Sequence, residues 1–198
     1  MDINALIGGR IRQLREARGW SLESLAERSG VSRSNISLIE RGESSPTATV
    51  LDRLGAGLGV TLASLFEPPA PVADEPSPLA RVAEQPLWTD PASGYVRRSV
   101  SPAVRSPLQL VDVVFPPGRR VAYDNAARGE VHQQVWMIDG VMELTIGGTR
   151  WQLQAGDCLA MTLDEPIVYR NPGSTPARYL VALATMAAPA AMPLRRST

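Results

Sequence analysis

The sequence predicts an α + β multidomain fold, with a five-helix domain first and an all-β barrel behind it. In residues 1–66 apolar side chains recur every three or four positions, the period of helices that bury one face. Residues 67–78 carry five prolines and no apolar periodicity. Residues 79–186 hold short runs rich in β-branched and aromatic residues between turn sequences such as P-P-G, D-G and A-G-D. The tail, 187–198, reads as frayed.

The helices are predicted from their caps and apolar stripes. The first covers 3–18 and ends at Gly19, and a pair of short helices follows over 21–42. Each of the pair opens on a serine placed as N-cap and closes on a glycine able to take a left-handed conformation. Thr47 begins a fourth helix, and Gly59 leads into a short fifth helix that ends at Phe66.

The second helix of the pair, from Ser32 to Arg41, buries Ile36 and Ile39 and leaves a short, polar and cationic face outside. Such a face suits a DNA groove, because arginine donates bidentately to guanine, asparagine pairs with adenine, and small hydroxyls let the backbone approach base edges. An ordinary helical hairpin with a solvated face is the alternative interpretation.

Residues 7–66 resemble the XRE family of helix-turn-helix proteins, the family of the lambdoid phage repressors. The matching residues are L-R-E-A-R-G-W-S-L, L-A, S-G-V-S, I-S, I-E-R-G, P and L-G-V. The resemblance implies that 32–41 is the recognition helix and that Arg15 pairs with Glu40. Many members have a phosphate-contacting glutamine where this chain has Leu22, which shifts backbone contacts toward Ser21 and Asn35. The predicted DNA-binding residues are Ser21, Ser32, Arg33, Ser34, Asn35, Ser37 and Arg41.

Charge limits how the chain can bind nucleic acid. Its 20 basic residues, all arginine, balance 20 acidic ones, and residues 1–66 carry eight arginines against seven acidic residues. Non-specific coating of nucleic acid needs a strongly positive surface, so it is excluded. A single helical domain of nearly neutral charge, which we call the head, binds DNA weakly. We therefore expect a homodimer on a palindromic site whose half-site centres lie about 34–36 Å apart.

The remaining compositional features predict a cytoplasmic protein. No run of 18 apolar residues is present, and the N-terminus lacks the pattern of a signal peptide. A single Cys158 cannot form an intrachain disulfide, and its position in a strand favours a small core residue over a reactive thiol. The proline-rich segment spans roughly 37 Å if extended, either as a tether that sets head spacing or as an inert connector.

In the β region the order P-P-G, D-G, G-G, A-G-D and P-I-V-Y-R-N-P resembles the two motifs of the cupin superfamily, a small jelly-roll barrel. The combination of an XRE-type head and a cupin body is itself an arrangement of bacterial regulators. Together the two resemblances cover nearly all of the chain.

Cupin enzymes hold a divalent metal with an H-x-H pair, a glutamate and a later histidine, and here all four positions lack a ligand. The resemblance puts Gln133 at the glutamate, Ile167 at the last histidine, and residues within 126–129 at the H-x-H pair. The one histidine, His132, lies next to Gln133 and so points to the opposite face of its strand. A shifted site using Asp124, Glu130 and His132 is a weaker alternative. We predict no metal, no other cofactor and no catalytic residues.

The cupin domain is expected to join the two copies of the dimer. Its barrel either is filled by its own side chains, with dimerisation as its only task, or keeps room for one small organic effector. Alternation from the motif anchors gives the candidate ligand-binding residues Gln133, Met137, Met161, Ile167 and Tyr169, with Val135 also inward and Tyr123 and Arg120 at the mouth. The predicted function is sequence-specific regulation of transcription by a protein that binds double-stranded DNA. A cupin metalloenzyme with an accessory head, and a protein-interaction module that does not bind DNA, are the alternatives.

Overall fold

The computed structural model describes residues 2–67, 77–104, 106–125 and 131–185. Four α-helices form the head: α1 (Ile3–Glu16), α2 (Leu22–Ser29), α3 (Arg33–Glu40) and α4 (Ala48–Leu58). Each begins at a polar N-cap whose side chain accepts a backbone N–H, and α2 and α4 end at left-handed glycines, Gly30 and Gly59. No helix in the described ranges is long and apolar enough to span a membrane.

The predicted fifth helix is wrong in type. Residues Ala63–Phe66 form a 3₁₀-helix of four residues, so the head has four α-helices and one 3₁₀-helix. The Ser64 N–H donates to the Thr61 carbonyl oxygen and the Leu65 N–H to the Leu62 carbonyl oxygen, which are the i to i+3 bonds of a 3₁₀-helix. Thr61 Oγ1 also accepts the Ser64 N–H at 3.2 Å, which favours this tight turn. The first helix also ends earlier than predicted, at Glu16 rather than residue 18.

The body, residues 77–185, is built from ten described strands in two sheets. Six strands pair in the order β1-β2-β3-β10-β5-β8 and four in the order β4-β9-β6-β7, with antiparallel neighbours throughout. The predicted β-rich jelly-roll domain is present, but its barrel is not closed, because no strand pairing joins the two sheets among the described residues. The strand bounds are β1 Leu87–Thr89, β2 Val96–Ser99, β3 Leu108–Phe115, β4 Arg120–Tyr123, β5 Val131–Asp139, β6 Val141–Ile146, β7 Thr149–Gln154, β8 Cys158–Thr162, β9 Ile167–Arg170 and β10 Ala177–Thr185.

The head packs directly against the body. The N–H of Ala48, in the first turn of α4, donates to Asp90 Oδ1 at 2.9 Å, and the Asp124 N–H donates to Asp52 Oδ2 at 3.2 Å. The Phe66 ring meets Trp88 edge-on, with centroids 5.5 Å apart. These contacts place the end of the head over one end of the space between the sheets. Most of the predicted linker, 67–78, lies outside the described residues. The whole of the predicted tail, 187–198, lies outside them as well.

Candidate functional site

The helix pair α2–α3 is fixed by a buried inner face. Leu25, Ile36 and Ile39 are completely buried, and α1 lies so close to α3 that a Cβ added at Gly8 would come within 2.2 Å of the Ile39 carbonyl oxygen. Burial of these faces leaves the opposite face of α3 at the surface. The two helices and the sharp turn at Gly30 give the helix-turn-helix geometry that the sequence predicts.

Arg15 anchors the end of α3 to α1. Its Nε and Nη2 donate to the two Glu40 carboxylate oxygens, both at 2.7 Å, and its Nη1 donates to the Trp20 carbonyl oxygen at 2.8 Å. Hydrogen bonding to Glu40 is the main cause that raises the pKa of Arg15. The side chains of Arg15 and Glu40 are 11% and 7% exposed, so this bidentate pair is a buried tie, and the predicted pairing is confirmed.

The first turn of α3 presents a cation and two hydroxyls to solvent. Ser32 is the N-cap, and its Oγ accepts the Asn35 N–H at 3.3 Å. The Arg33 side chain is 67% exposed, and its ion-pair contact to Glu23 is 3.9 Å long with both groups in water. Such an exposed pair contributes little, so Arg33 is available to an outside partner. Ser34 is exposed beside it.

The other candidate residues are less exposed or already engaged. Arg41 donates to both Glu43 oxygens at 2.8 Å and to Ser37 Oγ. The hydrogen bond from Arg41 lowers the pKa of the Glu43 carboxyl. Asn35 and Ser37 are half-buried, whereas Ser21 is exposed as the N-cap of α2. Arg41 must exchange Glu43 for any phosphate that it binds.

A second site is a cavity between the two sheets, closed at one end by the head. Its volume, as space for the centres of water molecules, is about 90 Å³, and a single water needs about 10–15 Å³ by that measure. The head contributes Asp52, Thr61, Leu62 and Ala63 to its wall. The cavity therefore has room for a small organic molecule that would touch both domains.

All four tyrosines of the chain line this cavity. Burial raises the pKa of Tyr95 to about 12 and is also the main cause that raises the pKa values of Tyr123, Tyr169 and Tyr179. The hydroxyls therefore stay protonated at neutral pH. Two are hydrogen-bonded to each other, Tyr95 to Tyr123 at 3.0 Å, and Tyr169 accepts from Gln133 Nε2 at 2.5 Å.

One cavity residue carries a formal positive charge. Arg97, on β2, is 8% exposed, and its guanidinium lies over the Phe66 ring with its central carbon 4.5 Å from the ring centroid. Its Nε has no hydrogen-bond partner, and within the described ranges its side chain makes no ion pair. Burial lowers the pKa of Arg97.

Comparison with known proteins identifies both domains. The family model for helix-turn-helix domains matches residues 11–65, and the one for cupin domains matches 111–183. The HTH-type transcriptional regulator SutR of Escherichia coli K12 is 30% identical over 166 residues, which are 82% of this chain and 85% of SutR.

The chain belongs to the XRE-type helix-turn-helix transcriptional regulators with a cupin domain.

A further relative and a solved structure agree with this assignment. The HTH-type transcriptional regulator PuuR of Escherichia coli K12 is 28% identical over 166 residues, covering 83% of this chain and 86% of PuuR. The crystal structure of an HTH_3 family transcriptional regulator from Vibrio cholerae superposes with a TM-score of 0.72, at 23% identity, over 93% of this chain and 98% of the other. The second likeness shows the same two-domain fold.

The structure distributes the predicted ligand residues of this regulator over three environments. Gln133, Ile167 and Tyr169 line the cavity, and so does the predicted mouth residue Tyr123. Met161 lies beside Gln133, with Sδ 3.5 Å from Nε2, but it lines a separate, more open groove with Trp151. Met137 is fully buried outside the cavity wall, as is Val135, and Arg120 is exposed.

Sequence reasoning missed Arg97, Tyr95 and Tyr179 as cavity residues of the regulator. Tyr95 and Arg97 belong to a short strand region that was not predicted, and an arginine in an alternating strand pattern reads as outward-facing. The one signal in the sequence is the alternation along this stretch, which puts Tyr95 and Arg97 on one face and Val96 and Arg98 on the other. It does not say which of the two sets points inward.

The residues of the regulator's cavity do not fit the cupin metal. At the two metal-ligand positions that the structure describes, Gln133 uses its amide to bind Tyr169, and Ile167 presents an apolar side chain. His132 is exposed on the other face of β5. Over the described ranges no three His, Cys, Asp or Glu residues converge as a metal site. The H-x-H positions within 126–129 and the alternative ligand Glu130 lie outside those ranges. Cys158 is an exposed thiol and not the predicted core residue.

Proposed function

We propose that this regulator reads duplex DNA with the first turn of α3, acts as a homodimer, and adjusts its DNA affinity when a small organic effector enters the body. The observation that carries the proposal is the exposed Arg33, held only by a long, solvent-exposed ion pair to Glu23, on a helix that Arg15 and Glu40 hold in place. A preorganised helix loses little entropy on binding, so its side chains can select bases. Since its target is DNA, the protein works in the cytoplasm.

Each residue of the α3 surface has a distinct proposed role. Arg33 donates bidentately to guanine, and Ser32, Ser34 and Ser37 approach base edges. Ser21 and Asn35 bind phosphate oxygens, and Arg41 joins them by releasing Glu43. Phosphate contacts set the register on the duplex, whereas the base contacts select the sequence.

The DNA proposal is tested with Arg33→Ala on fragments that the wild-type protein selects from sheared genomic DNA. Affinity for the selected site should fall by about 1–3 kcal/mol, whereas affinity for unrelated DNA should fall much less. Arg150→Ala removes an equal charge from an exposed position on β7 of the body and should leave both affinities unchanged. Site binding that survives Arg33→Ala would contradict the assignment. A head that binds no DNA at any salt concentration would favour a protein-interaction module instead.

The homodimer is proposed to form on the outer face of the six-stranded sheet. Trp136 is 49% exposed there, Ile138 is 38% exposed, and Leu180 pairs with Trp136 across the strands. Val114 adds another exposed apolar side chain to the same face. A large aromatic residue surrounded by aliphatic ones is a typical anchor of a protein interface. Two heads held together in this way would address the two halves of a palindromic operator.

Two tryptophans of similar exposure test this interface. Trp136→Arg should convert the dimer to a monomer in sedimentation equilibrium. Trp151→Arg, at a site 46% exposed on the other sheet, should not. Cys158 is the single cysteine of the chain and lies opposite Trp136 on the neighbouring strand β8. A maleimide should therefore label its thiol more slowly in the wild-type dimer than in the Trp136→Arg monomer. If both variants remained dimers, another surface would join the two copies.

The effector is proposed to occupy the cavity under the head. The polar side chains that would contact the effector are Gln133 and Tyr169. The walls around them are apolar and include Ile167. Because Thr61, Leu62 and Ala63 also line the cavity, an occupant contacts the head itself. A ligand that prefers one head orientation shifts the population toward it and so changes DNA affinity.

We further propose that the body binds its ligand without chemical turnover. The donor set at Gln133 and Ile167 cannot replace the glutamate and histidine of a cupin metal site. Elemental analysis of the purified protein tests this: stoichiometric iron, manganese, nickel or zinc that is lost in His132→Ala would favour the metalloenzyme alternative.

A further inference from the structure

Arg97 differs from the other buried charged residues of the described chain. Asp90 accepts N–H groups from Ala48 and Ser93 and the Ser93 hydroxyl, and Asp52 accepts the Asp124 N–H. Arg97 is buried to a similar degree, yet no described residue accepts a hydrogen bond from its side chain. It therefore lacks the compensation that the buried carboxylates have.

The surroundings of Arg97 supply only part of the missing stabilisation. The Phe66 ring faces the guanidinium, and a cation–π contact offsets some of the cost of burying the charge. The tyrosines nearby are neutral hydroxyls, so they carry no negative charge. A buried guanidinium has five N–H donors, and the planar fork that they form matches a carboxylate.

The rest of the cavity limits what such an anion can be. Val113, Phe115, Val181 and Leu183 give it apolar walls, which suit a hydrocarbon or aromatic group. Among the lining residues Arg97 carries the positive charge, so it can neutralise one negative charge of an occupant, and a second one would be buried without a partner. The cavity therefore favours a single anionic group attached to an apolar group.

We infer that the effector is a small organic monocarboxylate, whose carboxylate pairs with Arg97 and whose apolar part lies between the sheets. This inference rests on the proposed effector function and names its chemical class. Arg97 contacts the head through Phe66, so neutralising its charge changes an interaction that joins head and body. The ligand's carboxylate is thus placed where the two domains meet.

The inference is tested on the whole 198-residue chain with acetate, butyrate and benzoate against their uncharged amides, acetamide, butyramide and benzamide. Binding is measured by thermal shift and calorimetry. At least one carboxylate should bind and raise the melting temperature, and its amide should not. Arg97→Met should weaken that binding by roughly 30-fold or more, the effect of removing one partner of a buried ion pair. Arg98→Met, at the next position on the opposite face of β2, is the matched control and should bind normally.

A second measurement separates a ligand-binding role from a structural one. Arg97→Met should raise the melting temperature of the ligand-free protein, because it replaces an unpaired buried charge by an apolar side chain. Arg97→Lys keeps the charge without the planar fork and should bind the carboxylate more weakly than wild type while it remains folded. A ligand-free Arg97→Met protein that is strongly destabilised, with carboxylate binding retained in Arg97→Lys at wild-type strength, would overturn the inference.

The possible failures are distinguishable. If an amide binds as well as its carboxylate, and Arg97→Met does not matter, the anion is wrong while the effector function stands. If inorganic phosphate stabilises the protein and no carboxylate does, the organic class is wrong. If no probe binds at all, the carboxylate inference fails. The effector function fails as well only if a thermal-shift screen of cationic and other uncharged small molecules also finds no ligand.

Discussion

At the scale of single residues, two neighbouring glycines in α1 have opposite surroundings. A Cβ at Gly8 would meet the Ile39 carbonyl oxygen at 2.2 Å, whereas a Cβ at Gly9 would have no atom within 4 Å. Gly8→Ala should therefore push α1 from α3 and cost about 1–3 kcal/mol of stability. Gly9→Ala should stabilise by about 0.5–1 kcal/mol through helix propensity. Urea unfolding measures both, and a stabilising Gly8→Ala would show that α1 and α3 are farther apart.

Two buried arginines, Arg15 and Arg97, differ in how far their environment could be predicted from the sequence. Arg15 could be paired with Glu40 beforehand, because family resemblance supplies the partner and both lie within one helical unit. Arg97 could not be identified as a cavity residue. Its environment comes from Phe66, Tyr123 and Tyr179, which are far away in sequence, and an isolated arginine in a strand normally faces water.

At the scale of elements, the first turn of α4 is tied to the body by a carboxylate. Asp90 Oδ1 accepts the Ala48 N–H at 2.9 Å, and Oδ2 accepts the Ser93 N–H and hydroxyl. Asp90→Ala leaves buried donors unsatisfied and should cost about 1–3 kcal/mol for each of them that stays dry. Hydrogen exchange should increase in the first turn of α4 and along the head–body boundary.

The matched control for Asp90 is Asp2, an exposed N-cap that serves α1 alone by accepting the Asn4 N–H at 3.0 Å. Asp2→Ala should cost about 1 kcal/mol or less and speed exchange only in the first turn of α1. If Asp90→Ala affected α4 alone and left the boundary protected, Asp90 would be a helix cap and not a connection between domains.

Elements were predictable to the extent that they carry their own boundaries. The helices α2, α3 and α4 have their N-caps at Ser21, Ser32 and Thr47, as the capping pattern predicts. The long strands β3, β5 and β10 follow from their β-branched runs. The strands β1 and β2, of three and four residues, are too short to show a period. Their position depends on pairing, of β2 with β3 and of β1 with β2. The same limit of length hid the 3₁₀ character of Ala63–Phe66.

At the scale of the whole molecule, the cavity is shared between the two domains. The sequence predicts a head and a body, and each pattern is complete without the other. Only the structure brings Asp52, Leu62 and Ala63 over the space between the sheets, because the contacts that hold them join residues 42 and 72 positions apart. Docking of one folded surface on another leaves little trace in local periodicity. It is nevertheless the feature through which we propose that effector binding affects DNA binding.

This shared cavity makes a prediction about the whole molecule at alkaline pH. All four tyrosines of the chain line the cavity, and burial raises the pKa of Tyr95 from 10.0 to about 12. Above pH 10 the unfolded chain therefore loses tyrosine protons that the folded chain retains, so stability is complete below that pH and falls as pH rises. The raised pKa of Tyr95 alone should lower the free energy of unfolding by about 2–3 kcal/mol once the pH reaches the value at which Tyr95 ionises in the folded state. Tyrosinate absorbance should consequently appear in one steep step, together with the loss of circular dichroism, and Tyr95→Phe should move that step to higher pH. A gradual rise in tyrosinate near pH 10 in a protein that is still folded would mean that the cavity is open to water.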